Sequence, residues 1–247
     1  MTLRTGAQPT FREALDGLST AQKSAKGAPA YSRYVNRRLG RYLAAAACTA
    51  GLTPNQVTAL SALSTFSGIG IIVAVQPTFL TSLAVSLLLV LGYALDSADG
   101  QLSRLTGRGS MAGEWLDHTV DAFKVGSIHL AFLVCWWRFY DLDAGWLLLP
   151  LLFQVLATVH FFSTLLMDQL RRSLSAAGKA PVDGNRSSSL LYSLAVLPTD
   201  FGVICVLSLL LCIPWLFTGL YVFVFACTAG FLVLALGKWY REVKSWN

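Results

Sequence analysis

Residues 79–124 read FLTSLAVSLLLVLGYALDSADGQLSRLTGRGSMAGEWLDHTVDAFK, an uncharged run that leads straight into Asp96, Asp99, Asp117 and Asp121. The run has the length and apolarity of a helix crossing a hydrocarbon core, which takes about 20 residues. A charge at mid-bilayer costs about 3 kcal/mol even on a lenient insertion scale. Four acids in such a place must therefore face a polar cavity or bind counterions.

Working outward, the rest of the chain is equally apolar. It has 247 residues, 55% of them hydrophobic and 13% charged, which excludes an ordinary soluble domain. Runs such as WLLLPLLFQVLATVHFFSTLLM (146–167) repeat the membrane-length pattern, and no strand alternation points to a barrel. The expectation is an all-α integral membrane protein, a six-transmembrane-helix bundle with crossings near 54–76, 79–103, 111–139, 145–169, 188–212 and 214–238. Arginine and lysine support that count. Arg33, Arg37, Arg38 and Arg41 precede the first crossing, and Arg104 and Arg108 follow the second. Arg171, Arg172, Lys179 and Arg186 follow the fourth, while Lys238, Arg241 and Lys244 end the chain. Six crossings put all of them on one side, so both termini and the acidic cluster face the cytosol of a plasma or inner membrane. The formal net charge of +6 then serves the membrane surface, with no nucleic-acid partner expected.

Residues 1–30 are polar, basic and interrupted by Gly and Pro. They read as a flexible cytosolic leader rather than a cleavable signal. Residues 31–52 place Tyr34, Leu39 and Tyr42 among arginines, the pattern of an interfacial amphipathic helix in the headgroup layer. Residues 53–247 form the six-helix domain, opened by Thr53 as a helix cap and Pro54 in the first turn. Pro198 and Asp200 interrupt the fifth crossing, as a kink or as a re-entrant start. The five cysteines lack metal spacing and read as small packing residues. Trp136, Trp137, Trp146, Trp215 and Trp239 flank crossings as interfacial belts, and His118, His129 and His160 read as packing or hydrogen-bonding residues.

Helical periodicity orders the acids. Asp96 and Asp99 lie within about 60° of one another, with Ser103 and Arg104 continuing that side. Asp117 and Asp121 share a stripe on the next helix, Gly113 a turn before and Lys124 about a turn after. The short TGRGSMAG connection makes the two helices antiparallel neighbours, so the two stripes meet. Four converging carboxylates are a ligand set for Mg²⁺ or Mn²⁺, and no Cys or His pattern suggests zinc. Metal-bound carboxylates backed by an arginine suit a diphosphate and phosphoryl transfer.

The spacing Asp96-x2-Asp99-Gly100-x2-Ser103-Arg104-x8-Gly113-x3-Asp117-x3-Asp121 resembles the signature of the CDP-alcohol phosphotransferase (CDP-alcohol phosphatidyltransferase) family, D-x2-D-G-x2-A-R-x8-G-x3-D-x3-D. Every fixed position matches except the alanine, here Ser103. The TPNQVT segment at the first crossing is also typical of the family. The resemblance implies transfer of a phosphoalcohol group from a CDP-alcohol to a hydroxyl acceptor, with release of CMP, by a membrane homodimer using two Mg²⁺ or Mn²⁺ ions. Carried over by position, Asp96, Asp99, Asp117 and Asp121 would ligate metal, with Asp121 also the base on the acceptor hydroxyl. Gly100, Ser103, Arg104 and Gly113 would lie along the CDP moiety, joined by Asn55. Lys124 either pairs with Asp121 or meets an anionic acceptor. Arg171, Arg172 and Arg186 are acceptor-binding candidates that positive-inside anchoring explains equally.

The expected reaction is phosphatidyl transfer from CDP-diacylglycerol in phospholipid biosynthesis. The alternative is a soluble donor of the CDP-choline or CDP-ethanolamine type with a lipid acceptor. A cation transporter would also explain buried acids but leaves the Gly100, Arg104 and Gly113 spacing without a reason. Relatives that use phosphorylated acceptors usually carry arginines near the cytosolic end of the fifth helix. LAVLPTDFGVIC has none, which counts against such an acceptor.

Overall fold

The computed structural model describes residues 9–20, 27–178 and 189–246. Every regular element among them is a helix. Five helices have the length and apolarity to cross a membrane, so this is a multi-pass membrane protein. They are α3 (Pro54–Ala74), α4 (Phe79–Thr106), α5 (Met111–Phe139), α6 (Leu148–Ala176) with its leading turn Ala144–Leu147, and α9 (Pro214–Lys244). Before them come α1 (Phe11–Thr20) and α2 (Arg37–Thr49). Between α6 and α9 lie the short α7 (Leu190–Ala195) and α8 (Phe201–Leu207).

The start of α3 bears out the sequence reading. Thr53 Oγ1 accepts from the Gln56 N–H at 3.3 Å and Gln56 Oε1 accepts from the Thr53 N–H at 2.8 Å, a reciprocal cap with Pro54 in the first turn. α4 ends at Gly107, whose φ of +66° is comfortable only for glycine. The link Gly107–Ser110 then returns the chain into α5, capped by Ser110 on the Gly113 N–H. α4 and α5 are therefore antiparallel.

α3 crosses α4 on small residues. Ser61 Oγ donates to the Gly92 carbonyl and Ser64 Oγ to the Leu88 carbonyl, each at 2.8 Å. A Cβ on Gly92 would stand 2.1 Å from Thr65 Oγ1. Small residues let the two backbones approach, and the hydroxyls replace water as partners.

Two parts of the fold differ from expectation. The leader contains α1, whose Ala14 and Leu18 are fully buried against Ala44, Ala98 and Leu102. That portion of residues 1–30 is packed helix, because its apolar face finds α2 and α4. The fifth crossing is also not one helix. Leu190–Cys212 breaks at Leu197–Thr199 and again at Ser208–Cys212, both of them 3₁₀ turns. Pro198 cannot continue an α-helix, and Asp200 caps the next one through the Gly202 N–H at 2.9 Å. The segment still runs from end to end of the bundle. Ser193 meets Arg33 on α2's side, while the Leu211 carbonyl accepts from Tyr140 Oη at 2.6 Å beyond the far end of α5.

Trp136 is also not a belt residue. It is 1% exposed, stacked on Tyr140 and edge-on to Phe217 and Tyr221. Its neighbour Trp137, along with Trp146 and Trp215, does face outward. His129 packs in the same aromatic core, its Nδ1 2.7 Å from Tyr221 Oη and its ring stacked on Phe153. The cysteines are free, with Cys48, Cys135 and Cys205 buried.

Candidate active site

The acidic stripes of the antiparallel helices α4 and α5 face one another across a gap that Lys124 bridges. Asp99 is buried, and Thr58 of α3 donates to its Oδ2 at 2.6 Å. Lys124, one turn after Asp121, is also buried, and its Nζ bridges the stripes. It lies 3.4 Å from Asp96 Oδ1 and forms an ion pair with Asp121. Tyr93 and Phe201 cover the ammonium, with ring centroids at 5.9 and 5.2 Å. Of the two sequence readings of Lys124, the structure displays the pairing, and extends it to Asp96.

Asp99 and Asp117 form one wall of a cavity of about 570 Å³ that also meets Asn55, Thr58, Gly100, Ser103, Arg104, Gly113 and Arg172. All five nucleotide-site candidates thus fall on one cavity. A Cβ on Gly113 would stand 2.9 Å from Asn55 Oδ1 and displace that amide from the cavity wall. Along the outer face of α5 and α6, an apolar trough with Trp115, Phe123 and Phe162 shares Met111, Glu114, His118 and Arg172 with this cavity.

Two further cavities adjoin the acids. One lies towards α2, bordered by Asn36, Arg37, Asp96, Asp99 and Arg104. The other is mostly apolar, running from Asp96, Asp121 and Lys124 past Phe153 and Phe161 to Pro198 and Ile204. Asp200, missed as a packing hub by sequence reasoning, closes its edge. Besides capping α8 it accepts from the Ser32 N–H at 2.7 Å and from Tyr93 Oη at 3.1 Å, which fastens the N-terminal segment, α4 and α8 to one buried carboxylate. An aspartate two residues after a proline in an apolar run was the only signal.

The residues fit divalent cations. Single ligand atoms of Asp117, His118 and Asp121 on α5 lie within 4.8 Å of one another, a set of mostly hard oxygens, whereas Asp96 and Asp99 of α4 fall outside that group. His118 enters this group although its sequence context gave no ligand pattern. Its Nε2 is buried without a hydrogen-bond partner.

The acceptor candidates separate. Arg171 forms a two-pronged pair with Glu242 of α9, both contacts 2.8 Å, and a third contact with Asp168 at 3.5 Å. It holds α6 to α9 and lines none of the cavities around the acids. Arg172 pairs with Glu114 at the rim of the nucleotide-side cavity. Arg186 and Lys179 lie outside the described residues.

Comparison with known proteins agrees with the geometry. Residues 51–235 match the CDP-alcohol phosphatidyltransferase family. The chain is also similar to the archaetidylinositol phosphate synthase of Pyrococcus horikoshii, 33% identical over 91 residues, which is 37% of this chain and 44% of that enzyme. It therefore spans less than half the length of that curated relative.

Proposed function

Because the chain belongs to the CDP-alcohol phosphatidyltransferase family and is a transferase of phospholipid biosynthesis, we propose that it moves a phosphatidyl group from CDP-diacylglycerol to a hydroxyl acceptor and releases CMP. One observation carries the reading: Asn55, Gly100, Ser103, Arg104 and Gly113 share a cavity whose wall is Asp99 and Asp117. The apolar trough that opens from this cavity supports a donor carrying hydrocarbon chains.

In this mechanism Asp96, Asp99, Asp117 and Asp121 hold two Mg²⁺ or Mn²⁺ ions, which neutralise charge on the diphosphate when bound. Arg104 grips the diphosphate with a forked donor, and the small faces of Gly100 and Gly113 let it approach the backbone. Thr58 fixes the rotamer of Asp99. Asp121 takes the proton as the acceptor oxygen attacks the alcohol-bearing phosphorus. The bond from that phosphorus to the oxygen of CMP breaks, and CMP carries the electron pair away. Lys124 holds Asp121 and Asp96 in register from below. We place the site at the cytosolic face of a cell membrane, with α2 in the headgroup layer, both termini inside and two copies associating as a homodimer.

The deep apolar cavity favours a second reading, a soluble CDP-alcohol with a lipid acceptor. Labelled CDP-diacylglycerol, CDP-choline and CDP-ethanolamine, offered separately to purified protein, distinguish the two by which donor yields CMP. Chelation abolishes release and Mg²⁺ or Mn²⁺ restores it. Asp121→Asn slows it by about 10²-fold or more. Full activity in that variant, or none from any donor with wild-type protein, overturns the proposal.

A further inference from the structure

The two faces of α2 and of the π turn Ser32–Asn36 that leads into it differ in kind. Asn36, Gly40, Ala44 and Ala47 are buried on the inner face. A Cβ on Gly40 would stand 2.8 Å from Ser97, so α2 lies directly on α4, and Gln101 Nε2 donates to the Arg37 carbonyl at 3.2 Å. Ser97 and Gln101 flank Asp99 in sequence, so this seam runs beside the acids.

On the outer face Tyr34, Val35, Arg38, Leu39 and Tyr42 are exposed, a stripe at helical spacing. Arginines edge it. The Arg33 guanidinium carbon lies 5.1 Å from the Tyr34 ring centroid, and that of Arg41 lies 5.7 Å from the Tyr42 centroid. Arg41 Nε is buried without a hydrogen-bond partner, so this guanidinium still calls for an acceptor. Among the described residues no carboxylate pairs with Arg38 or Arg41. Exposed rings and aliphatic side chains beside unpaired guanidinium groups suit neither water nor hydrocarbon alone. They suit the boundary between lipid phosphate and acyl chain, which offers burial to the first and acceptors to the second. Charge then selects the lipid. A forked guanidinium takes phosphate oxygens in pairs, the stripe carries no carboxylate to repel them, and a zwitterionic headgroup would add an ammonium that the arginines repel.

We propose that the outer face of α2 is a binding site for anionic phospholipid headgroups, held by Arg38 and Arg41, and that their occupancy presses α2 onto α4 beside Asp99. Tyr34, Val35, Leu39 and Tyr42 sink into the acyl boundary. The rate of the enzyme then follows the anionic-lipid content of the membrane around it. The site is independent of the identity of donor and acceptor, and rests on α2 lying in the headgroup layer as placed above.

Purified full-length protein is reconstituted in vesicles of phosphatidylcholine alone, or of phosphatidylcholine and phosphatidylglycerol in equal parts, and amide hydrogen exchange is read across residues 32–49. Exchange there should slow by about fivefold or more in the anionic vesicles, the effect of a single arginine near such a surface. Arg38→Gln combined with Arg41→Gln should lose the slowing, whereas Lys238→Gln combined with Lys244→Gln, an equal loss of charge on α9, should keep it. CMP release should rise with the same lipid, and the α2 double variant should match wild type in phosphatidylcholine while losing that rise. Equal exchange in the two vesicles overturns the proposal, as does slowing that survives in the α2 double variant or that inorganic phosphate reproduces in phosphatidylcholine. Brominated phosphatidylcholine should quench the emission that Leu39→Trp adds. Without quenching, the headgroup placement fails and the site falls with it; quenching without an anionic-lipid effect overturns the site alone. If no donor yields CMP with wild-type protein, the transfer reading fails, and the exchange result still decides this one.

Discussion

Thr58 sits one turn inside α3, and its hydroxyl meets Asp99 Oδ2 at 2.6 Å, both residues being largely buried at the cavity wall. A hydrogen bond to an ionised partner is worth about 1.5–3 kcal/mol. Thr58→Val keeps the shape and removes the donor, so folding stability should fall by about 1.5–3 kcal/mol and kcat should fall as Asp99 loses its fixed position. A variant with wild-type kcat would show that Asp99 needs no help from α3. The acids themselves were legible from residue spacing, since separations of three and four fix a helix face whatever the neighbours do. Thr58, Tyr93 and Asn36 were not, because their reach to the acids depends on where α2, α3 and α4 cross. Arg37 was visible only as one basic residue among several.

At the scale of elements, α3 and α4 depend on a crossing that tolerates no side chain at Gly92. Gly92→Leu must push apart Thr65 Oγ1 at 2.1 Å and the Ser61 carbonyl at 3.1 Å. Overpacking of this kind costs about 1–3 kcal/mol. The thermal midpoint should drop, and activity should fall with it as Thr58 withdraws from Asp99. Stability equal to wild type would mean that the helices separate freely. Long helices were readable from hydropathy and, at Thr53, from a cap. The broken stretch Leu190–Cys212 was readable only as trouble at Pro198 and Asp200. Its resolution needs Ser32 and Tyr93, residues over 100 positions away, to satisfy Asp200.

For the whole molecule, Arg171 and Glu242 tie the fourth long helix to the last at their far ends. Arg171→Ala removes a two-pronged, partly buried pair and should lower stability by about 1–2 kcal/mol, read by denaturant titration in detergent. Its acceptor KM should match wild type, whereas a raised KM would return Arg171 to the binding machinery. Sequence placed this arginine correctly at the charged end of the bundle. It could not tell an anchor from a ligand, because Glu242 lies 71 positions on.

The interrupted fifth segment bears on how the chain assembles as it leaves the ribosome. Its backbone oxygens at Pro198 and Leu211 accept from Thr228 on α9 and from Tyr140 beyond α5, at 3.3 and 2.6 Å. Tyr140 is made before Leu211 and can meet its carbonyl at once, whereas the Pro198 carbonyl gains its Thr228 partner only when α9 has been synthesised. Ser32, Tyr93 and Tyr140 can thus seat most of this stretch as it emerges, and the contact from Thr228 is the last to lock it.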